Sequence, residues 1–401
     1  MRPVELDEAL AILAGLPTEP GTEELPLAAL CGRILAEEIR ADSPVPPFDK
    51  SPFDGYAFRA CDVPGELRVV GRAAAGCREL PAIREGEALR IFTGAPVPPG
   101  ADAVARQEDA AVSGDLVRIP DAYAPGQNLV PRGEDLEAGS LLLSAGTRLS
   151  PARLGLLASQ GRDKLRVYRR PRAILIPTGT ELSEPGEPRG PYGIYNSSSA
   201  VLRAVLEKIG FQVEQRPALR DEEARLLQEA ARALESGAEA VFTTGGASVG
   251  DYDFAARTAE KLGLELLIRG VLVKPGGTML LSRRGRQLFL SLSGNPAAAL
   301  MGLLAVLRPL LERMCGLPGE TEELRLPLYA PMPKSSEVCR LLRGHIRIEE
   351  GRAWFQEHGG RGNGNLASFV DCDAIALVPP GNGALRRGEM LRVLRLPAGL
   401  L

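Results

Sequence analysis

Histidine is nearly absent from this chain of 401 residues; only His345 and His358 occur. That shortage argues against a Ser-His-Asp triad or a histidine-built metal centre, both of which need imidazole. The six cysteines, at 31, 61, 77, 315, 339 and 372, lie far apart and form no C-x-x-C pair. A zinc ribbon or thioredoxin-type motif is therefore not expected, and scattered thiols fit a reducing compartment. Aromatic residues make up 4% of the chain, with no stacking platform for RNA. Net charge is −3 and no basic tail exists, which argues against nucleic acid as a partner. Lysine is scarce as well, confined to positions 50, 164, 208, 261, 274 and 334. The longest apolar run, Ala297–Leu307, is too short to span a bilayer. The first residues, MRPVELDEALAIL, carry acids where a secretion signal needs basic and then apolar residues. The expectation is a soluble cytoplasmic protein whose chemistry rests on carboxylates, Lys, Arg and backbone amides.

What is present points to several domains, because the length exceeds that of one ordinary domain. Residues 1–40 carry Leu and Ile at helical spacing, including Leu27, Leu30, Ile34 and Leu35. Prolines 44, 46, 47 and 52 then forbid a helix. From 53 to about 140, short apolar segments separated by Gly and Pro predict a small β domain. Ser150–Gly161 predicts a helix with Ser150 as N-cap, Pro151 at its first position and Gly161 as its stop. Between 171 and 315, short apolar strands alternate with helical segments, one of them with Asp221 as its expected cap. Helical crossovers of this kind imply a doubly wound parallel sheet, with ligands bound beyond the carboxyl ends of its strands. After 321, short strands return and predict a C-terminal β-barrel.

The strand ends carry the candidate chemistry. Val241–Phe254 (VFTTGGASVGDYDF) is an apolar run ending in a Gly-rich loop, a hydroxyl and two acids. Backbone amides of such a loop can converge on an anion while the acids hold a hard cation, which describes a phosphate-and-magnesium pocket. Two further strand ends, Pro177–Leu182 (PTGTEL) and Ser293–Pro296 (SGNP), have similar make-up, and Lys274–Thr278 (KPGGT) adds a cation.

These loops, together with PPFDKSPFDGYAF (46–58), IFTGAPVPPGADAVARQED (91–109), NLVPRGEDLEAGS (128–140), TTGGASVGDYDF (243–254), VKPGGT (273–278) and SLSGNPAAA (291–299), resemble the molybdopterin molybdenumtransferases, that is, the MoeA family and the E domain of gephyrin. The resemblance runs nearly end to end and in the family's order. It implies an elongated domain I from 1–40 and 141–170, an inserted β domain II (41–140), an α/β molybdopterin-binding domain III (171–320) and a β-barrel domain IV (321–401). It also implies a homodimer with each active site at the subunit interface. The implied reaction is Mg²⁺-dependent insertion of molybdate into adenylylated molybdopterin with release of AMP. The implied protein partners are the molybdopterin adenylyltransferase and molybdoenzymes.

Carried over residue by residue, the resemblance makes Asp54, Asp135, Glu181 and Lys274 candidate catalytic residues, with Asp54 and Asp251 at Mg²⁺. Thr178, Gly179, Gly245, Gly246, Ser248, Gly250, Ser293, Gly294, Asn295 and Pro296 would hold the pterin phosphate. Lys274 and Arg340 would bind molybdate, and Ser368 would line the side of domain IV. The chain departs from the family in four loops. Thr180 and Asn196 stand where the family has Asp, Gly277 where it has a second Lys, and Ser293 where it has Pro. The alternative reading is therefore a divergent paralogue that binds molybdopterin as carrier, scaffold or sensor. Taken alone, Asp54 caps a turn as readily as it serves a site, Lys274 is a surface loop lysine, and Arg340 belongs as readily to a solvated strand face, with Arg343 and Arg347 close by, as to a site.

Overall fold

The structure, a computed structural model, describes residues 2–245, 254–332, 336–358 and 365–401. It contains two compact units: Leu25–Cys31 with Glu37–Leu165, and Met1–Glu24 and Gly32–Ala36 with Arg166–Leu401.

In the first unit, the short apolar segments form a six-stranded sheet in the spatial order Ala103–Arg106, Gly55–Phe58, Glu87–Ile91, Gly65–Ala73, Leu116–Ile119, Ala111–Ser113. Side chains alternate across it. Tyr56 and Phe58 pack with Leu67, Ala105, Val117 and Ile119, while Ala57 faces Ala73, Leu89, Ile91 and Val104. Both faces are thus apolar at the centre. Gly55 is obligatory, because a Cβ there would lie 1.9 Å from the carbonyl oxygen of Ala105. The helix Pro151–Ser159 forms as expected. Ser150 accepts from the backbone N–H of Arg153, and Gly161 ends the helix at φ +71°. The helix expected around Leu27–Leu35 does not form. Thr22–Pro26 is a strand and Leu27–Ala29 a single 3₁₀ turn. Pro26, and Gly32 at φ +77°, interrupt any longer helix, so the leucine spacing there was coincidental.

The second unit is built on a six-stranded sheet. Its elements are β1 (Arg172–Pro177), α1 (Ser197–Ile209), β2 (Gln212–Gln215), α2 (Glu223–Glu235), β3 (Ala240–Thr244), α3 (Phe254–Lys261), β4 (Glu265–Arg269), β5 (Met279–Arg284), β6 (Gln287–Leu292), α4 (Pro296–Gly302) and α5 (Arg308–Met314). The spatial order is β2-β1-β3-β6-β5-β4. Period-2 alternation divides the core. Ala173 and Leu175 face α1, α4 and α5, and Ile174 and Ile176 face α2 and α3. The sheet is doubly wound, as expected. It is mixed, however, since β5 runs antiparallel to both β6 and β4. The reason is local: Arg284 pairs with Gln287 across a two-residue turn with Gly285 at φ +59°, too short for a parallel crossover. A π-helical turn, Leu303–Leu307, joins α4 to α5. It ends two residues before Pro309, whose missing N–H cannot continue the regular ladder. The N-terminal helix Leu6–Ala14 buries Leu6, Ala9 and Leu13 in the same core as α4 and α5.

The C-terminal strands are β7 (Glu323–Pro327), β8 (Cys339–Glu349), β9 (Arg352–Glu357), β10 (Ala374–Val378) and β11 (Met390–Arg395). They curl into a half-barrel ordered β8-β10-β11-β7, with Val273–Lys274 and β9 side by side along the other edge of β8. The bridge Leu328↔Phe355 brings the ends of β7 and β9 together over a core that includes Leu326, Leu342, Phe355, Ala376 and Val393. No helix among the described residues is long and apolar enough to cross a membrane.

One charged pair lies inside this unit. Arg308 is 1% exposed and donates to Glu312 at 2.9 Å and to the Thr321 hydroxyl at 3.1 Å. Removing one partner leaves a buried charge uncompensated. Glu312→Leu is expected to lower unfolding free energy by about 3–5 kcal/mol in urea titration. The double variant Arg308→Leu/Glu312→Leu should recover most of that loss.

Candidate functional site

Three parallel strands end level with one another. Pro177 pairs with Thr244, and Thr244 with Leu292. The Thr178 N–H and hydroxyl both donate to the Thr244 carbonyl at 2.9 Å, and the Gly245 N–H donates to Leu292 O at 3.1 Å. Gly245 has φ +85°, and a Cβ there would fall 2.6 Å from Thr178 O. Gly294 approaches Gly245 Cα closely enough that its own Cβ would sit 3.5 Å away. The Ser198 hydroxyl donates to Gly294 O at 3.3 Å. Thr178, Gly179, Gly245 and Gly294 therefore share one ridge. The N–H groups of Thr178, Gly179 and Gly245 are all spent within it, the second on Leu219 O at 3.0 Å. These residues shape the ridge; their amides are not donors for a ligand.

Two helices start at this edge. Asn196 caps α1 by accepting from Ser199 N at 3.1 Å, and Asn295 caps α4 by accepting from Ala298 N at 3.1 Å, with Pro296 at the first helical position. Their N-termini place partial positive charge there. Asn295 N–H also bonds the Ser293 hydroxyl at 3.2 Å. The two Asp positions lost from the family pattern now have acidic neighbours. Thr180 donates from its backbone N–H at 3.0 Å to Asp221, which is not the helix cap expected from sequence. Asn196 donates from Nδ2 to Glu184 at 2.9 Å, a bond that an ionised Asp could not make. Glu181 is exposed, and its carboxylate folds back so closely that a Cβ on Gly179 would lie 2.8 Å from it.

Beside the ridge lies a cavity of about 520 Å³ lined by residues 269–280 with Pro3, Asn295, Ala298 and Val338. Lys274 and Arg269 are its cations. The two-residue strand Val273–Lys274 runs parallel to β8, and Lys274 pairs in register with Arg340. The structure thus gathers Thr178, Gly179, Gly245 and Gly294 on the ridge and pairs Lys274 with Arg340, and Asn295 is common to ridge and cavity. Gly277 cannot carry the family's second lysine as the loop stands, because its Cβ would lie 2.2 Å from Val271 O and 2.4 Å from Val273 O.

Asp54 and Asp135 belong to the first unit. Asp54 directly precedes the strand Gly55–Phe58, and its Oδ1 accepts from Thr93 N at 2.8 Å and Thr93 Oγ1 at 2.7 Å. The Thr93 amide, and then the Thr93 hydroxyl, hold the Asp54 carboxyl below its ordinary range. Oδ2 has no hydrogen bond among the described residues. Asp135 is exposed, with its N–H on Val45 O at 3.0 Å. Ser368 does not line an open surface. It is buried, accepts from Arg343 and donates to Asn365 O at 2.6 Å. Burial pushes the Arg343 guanidinium down. Gly246, Ser248, Gly250 and Asp251 lie outside the described residues. No cluster of three or more His, Cys, Asp or Glu side chains able to hold a metal occurs among the described residues. Sequence reading missed Thr93, Ser198 and Arg269; only Thr93 had a signal, its place in a quoted motif.

An α/β domain with a ridge of loops at its strand ends, followed by a β half-barrel, defines a multidomain protein built to hold a ligand beyond the strand ends. Family models agree along the chain. "MoeA N-terminal region (domain I and II)" matches residues 4–161, "Probable molybdopterin binding domain" 174–313 and "MoeA C-terminal region (domain IV)" 325–396. A molybdopterin molybdenumtransferase of Bacillus subtilis (strain 168) is 31% identical over 98% of this chain and 94% of its own length. One from Staphylococcus aureus (strain Mu50) is 28% identical over 98% and 95%. Two structures of the MoeA protein of Pyrococcus horikoshii superpose with TM-scores of 0.83 and 0.81 at 29% and 28% identity, covering 99% and 98% of this chain and 100% of theirs. The chain belongs to the MoeA family of molybdopterin molybdenumtransferases and is a transferase of molybdenum cofactor biosynthesis.

Two outcomes follow from the geometry. Thr93→Val should move the Asp54 titration upward in a carboxyl NMR experiment. The sign is that of a depressed acid: whatever stability the ionised form contributes is present above the unfolded pKa and is lost as pH falls through the folded one. Gly277→Lys should lower thermal stability, by about 1–3 kcal/mol for forcing side-chain atoms into a packed backbone loop. Unchanged stability would show that the loop opens freely.

Proposed function

We propose that this chain inserts molybdenum into molybdopterin, with adenylylated molybdopterin and molybdate as substrates and AMP as leaving group. The observation that supports it best is a cavity that carries Lys274 together with the α4 N-terminus at Asn295, with Arg340 paired in register to Lys274 and the α1 N-terminus on the adjoining ridge. Phosphate and molybdate are anions, and preorganised dipoles and cations stabilise them without reorganisation. Lys274 and Arg340 neutralise the molybdate dianion. The α1 and α4 N-termini orient the pterin phosphate, with Ser248 and its neighbouring loop as proposed contacts. The dithiolene sulfurs come from the substrate, so the scarcity of His and the absence of a Cys pair present no obstacle.

Mg²⁺ would neutralise charge on the scissile phosphates. Its fit is tested by Asp54, whose Oδ1 is held by Thr93 while Oδ2 stays available. One or two carboxylates plus substrate phosphates suffice for this ion. Asp251 is the second proposed ligand, and Glu181 and Asp135 are proposed site acids. The further reading is a cytoplasmic homodimer in which each site draws on both subunits, with the four-domain division given above. The adenylyltransferase supplies its substrate and molybdoenzymes accept its product.

The carrier reading is favoured by one observation, the closed backbone at Gly277, which removes a cation. AMP release by the purified protein, with and without molybdate in the presence of Mg²⁺, separates the two. Molybdate-dependent release is expected; tight binding without turnover would overturn the insertase reading. Lys274→Ala should raise half-saturating molybdate about 10-fold, as for loss of one charge-assisted contact. Asp54→Ala should abolish turnover, and full activity in that variant would remove Asp54 from the mechanism.

A further inference from the structure

The chain's only tryptophan, Trp354, is not in a core. In the β8–β9 hairpin, Arg347 pairs with Trp354 and Glu349 with Arg352, while Phe355, on the opposite face, is fully buried. Alternation therefore puts Arg347, Glu349, Arg352, Trp354 and Gln356 on the outer face of the half-barrel. Tyr329 joins them, because its N–H donates to Phe355 O at 2.8 Å. The result is a stacked array. Arg352 lies over Trp354 at 4.8 Å, Arg387 over Trp354 at 5.1 Å and over Tyr329 at 4.8 Å, and Arg347 over Tyr329 at 4.3 Å. The two rings meet edge to face at 6.0 Å.

Three guanidinium groups and two large rings in an aromatic-poor chain have the composition of an interface hot spot. Stacking leaves the edges of each guanidinium open for in-plane donation and restricts its rotamers beforehand, which lowers the entropic cost of docking. One carboxylate of the chain already occupies edges of two of the three, and the Gln356 amide oxygen accepts from Arg347 at 3.1 Å. Glu349 accepts from Arg347 at 3.0 Å, from Arg387 at 3.2 Å and from the Tyr329 hydroxyl at 3.2 Å. It shows which chemistry the array accepts, and it leaves an excess of two positive charges on a chain whose net charge is −3.

We propose that this face is a docking surface for a carboxylate-rich segment of a protein partner. Glu349 holds Arg347 and Arg387 in place until the partner's carboxylates replace it. Nucleic acid is disfavoured, since two uncompensated charges give little phosphate affinity. The inference does not depend on the molybdate site.

Trp354 provides the readout. The intact protein is titrated with hexaglutamate at low ionic strength while tryptophan fluorescence is followed. A saturable change is expected, weakened about 10-fold by Arg387→Ala, a surface change in a loop that belongs to the array and not to the molybdate site. Glu349→Gln, which removes the competing carboxylate, should tighten binding about 3-fold. That opposite sign cannot arise from misfolding. No saturable response, unchanged affinity in Arg387→Ala, or tighter binding of oligothymidylate would overturn the proposal. So would a fluorescence change with protein concentration alone, which would make the occupant a second copy.

Discussion

The candidate site depends on two backbones touching where neither has a side chain. A Cβ on Gly276 would lie 2.6 Å from Gly302 N, and one on Gly302 would lie 2.7 Å from Gly276 O. This contact seats the 274–278 loop directly on α4. Because α4 begins at Asn295 on the strand-end ridge, the same contact sets the distance between ridge and cavity. Lys274 then has its position dictated twice, by this contact and by its pairing with Arg340.

The ridge and the cavity divide the labour of binding. At the ridge, hydroxyls and amides satisfy one another, and what remains for a ligand is the field of two helix starts. At the cavity, Lys274 is exposed on a two-residue strand and Arg269 is half-buried at the end of β4. The loss of Asp at 180 and 196 changes the bonding without emptying the region of carboxylates, since Asp221 and Glu184 stand at hydrogen-bonding distance from the replacements.

The half-barrel serves the site through one edge only, where β8 pairs with Val273–Lys274. Its other functional face, the Arg–aromatic array, is carried by the opposite part of the same strand. One long strand, Cys339–Glu349, thus supplies Arg340 at its start and Arg347 near its end, at positions of opposite parity.

Much of the architecture could be read from residues alone. Alternating apolar runs and capped helical segments such as Ser150–Gly161 specify local structure through short-range sterics and hydrogen bonding, so strands, helices and the doubly wound core were legible. The strand-end loops were legible as well, because glycine at tight turns and asparagine at helix starts have local causes. Other features required distant segments to meet. The diversion of Asp221 to Thr180, 41 residues away, is decided by a partner that spacing does not name. The same holds for Asp54, whose ionisation is set by Thr93, 39 residues away. Gly277 shows the limit most clearly. Its sequence reads as a lost lysine, yet only the packed carbonyls of Val271 and Val273 show that no side chain fits there. Sequence determines what the backbone does over a few residues; tertiary structure decides which groups are close enough to change one another's chemistry.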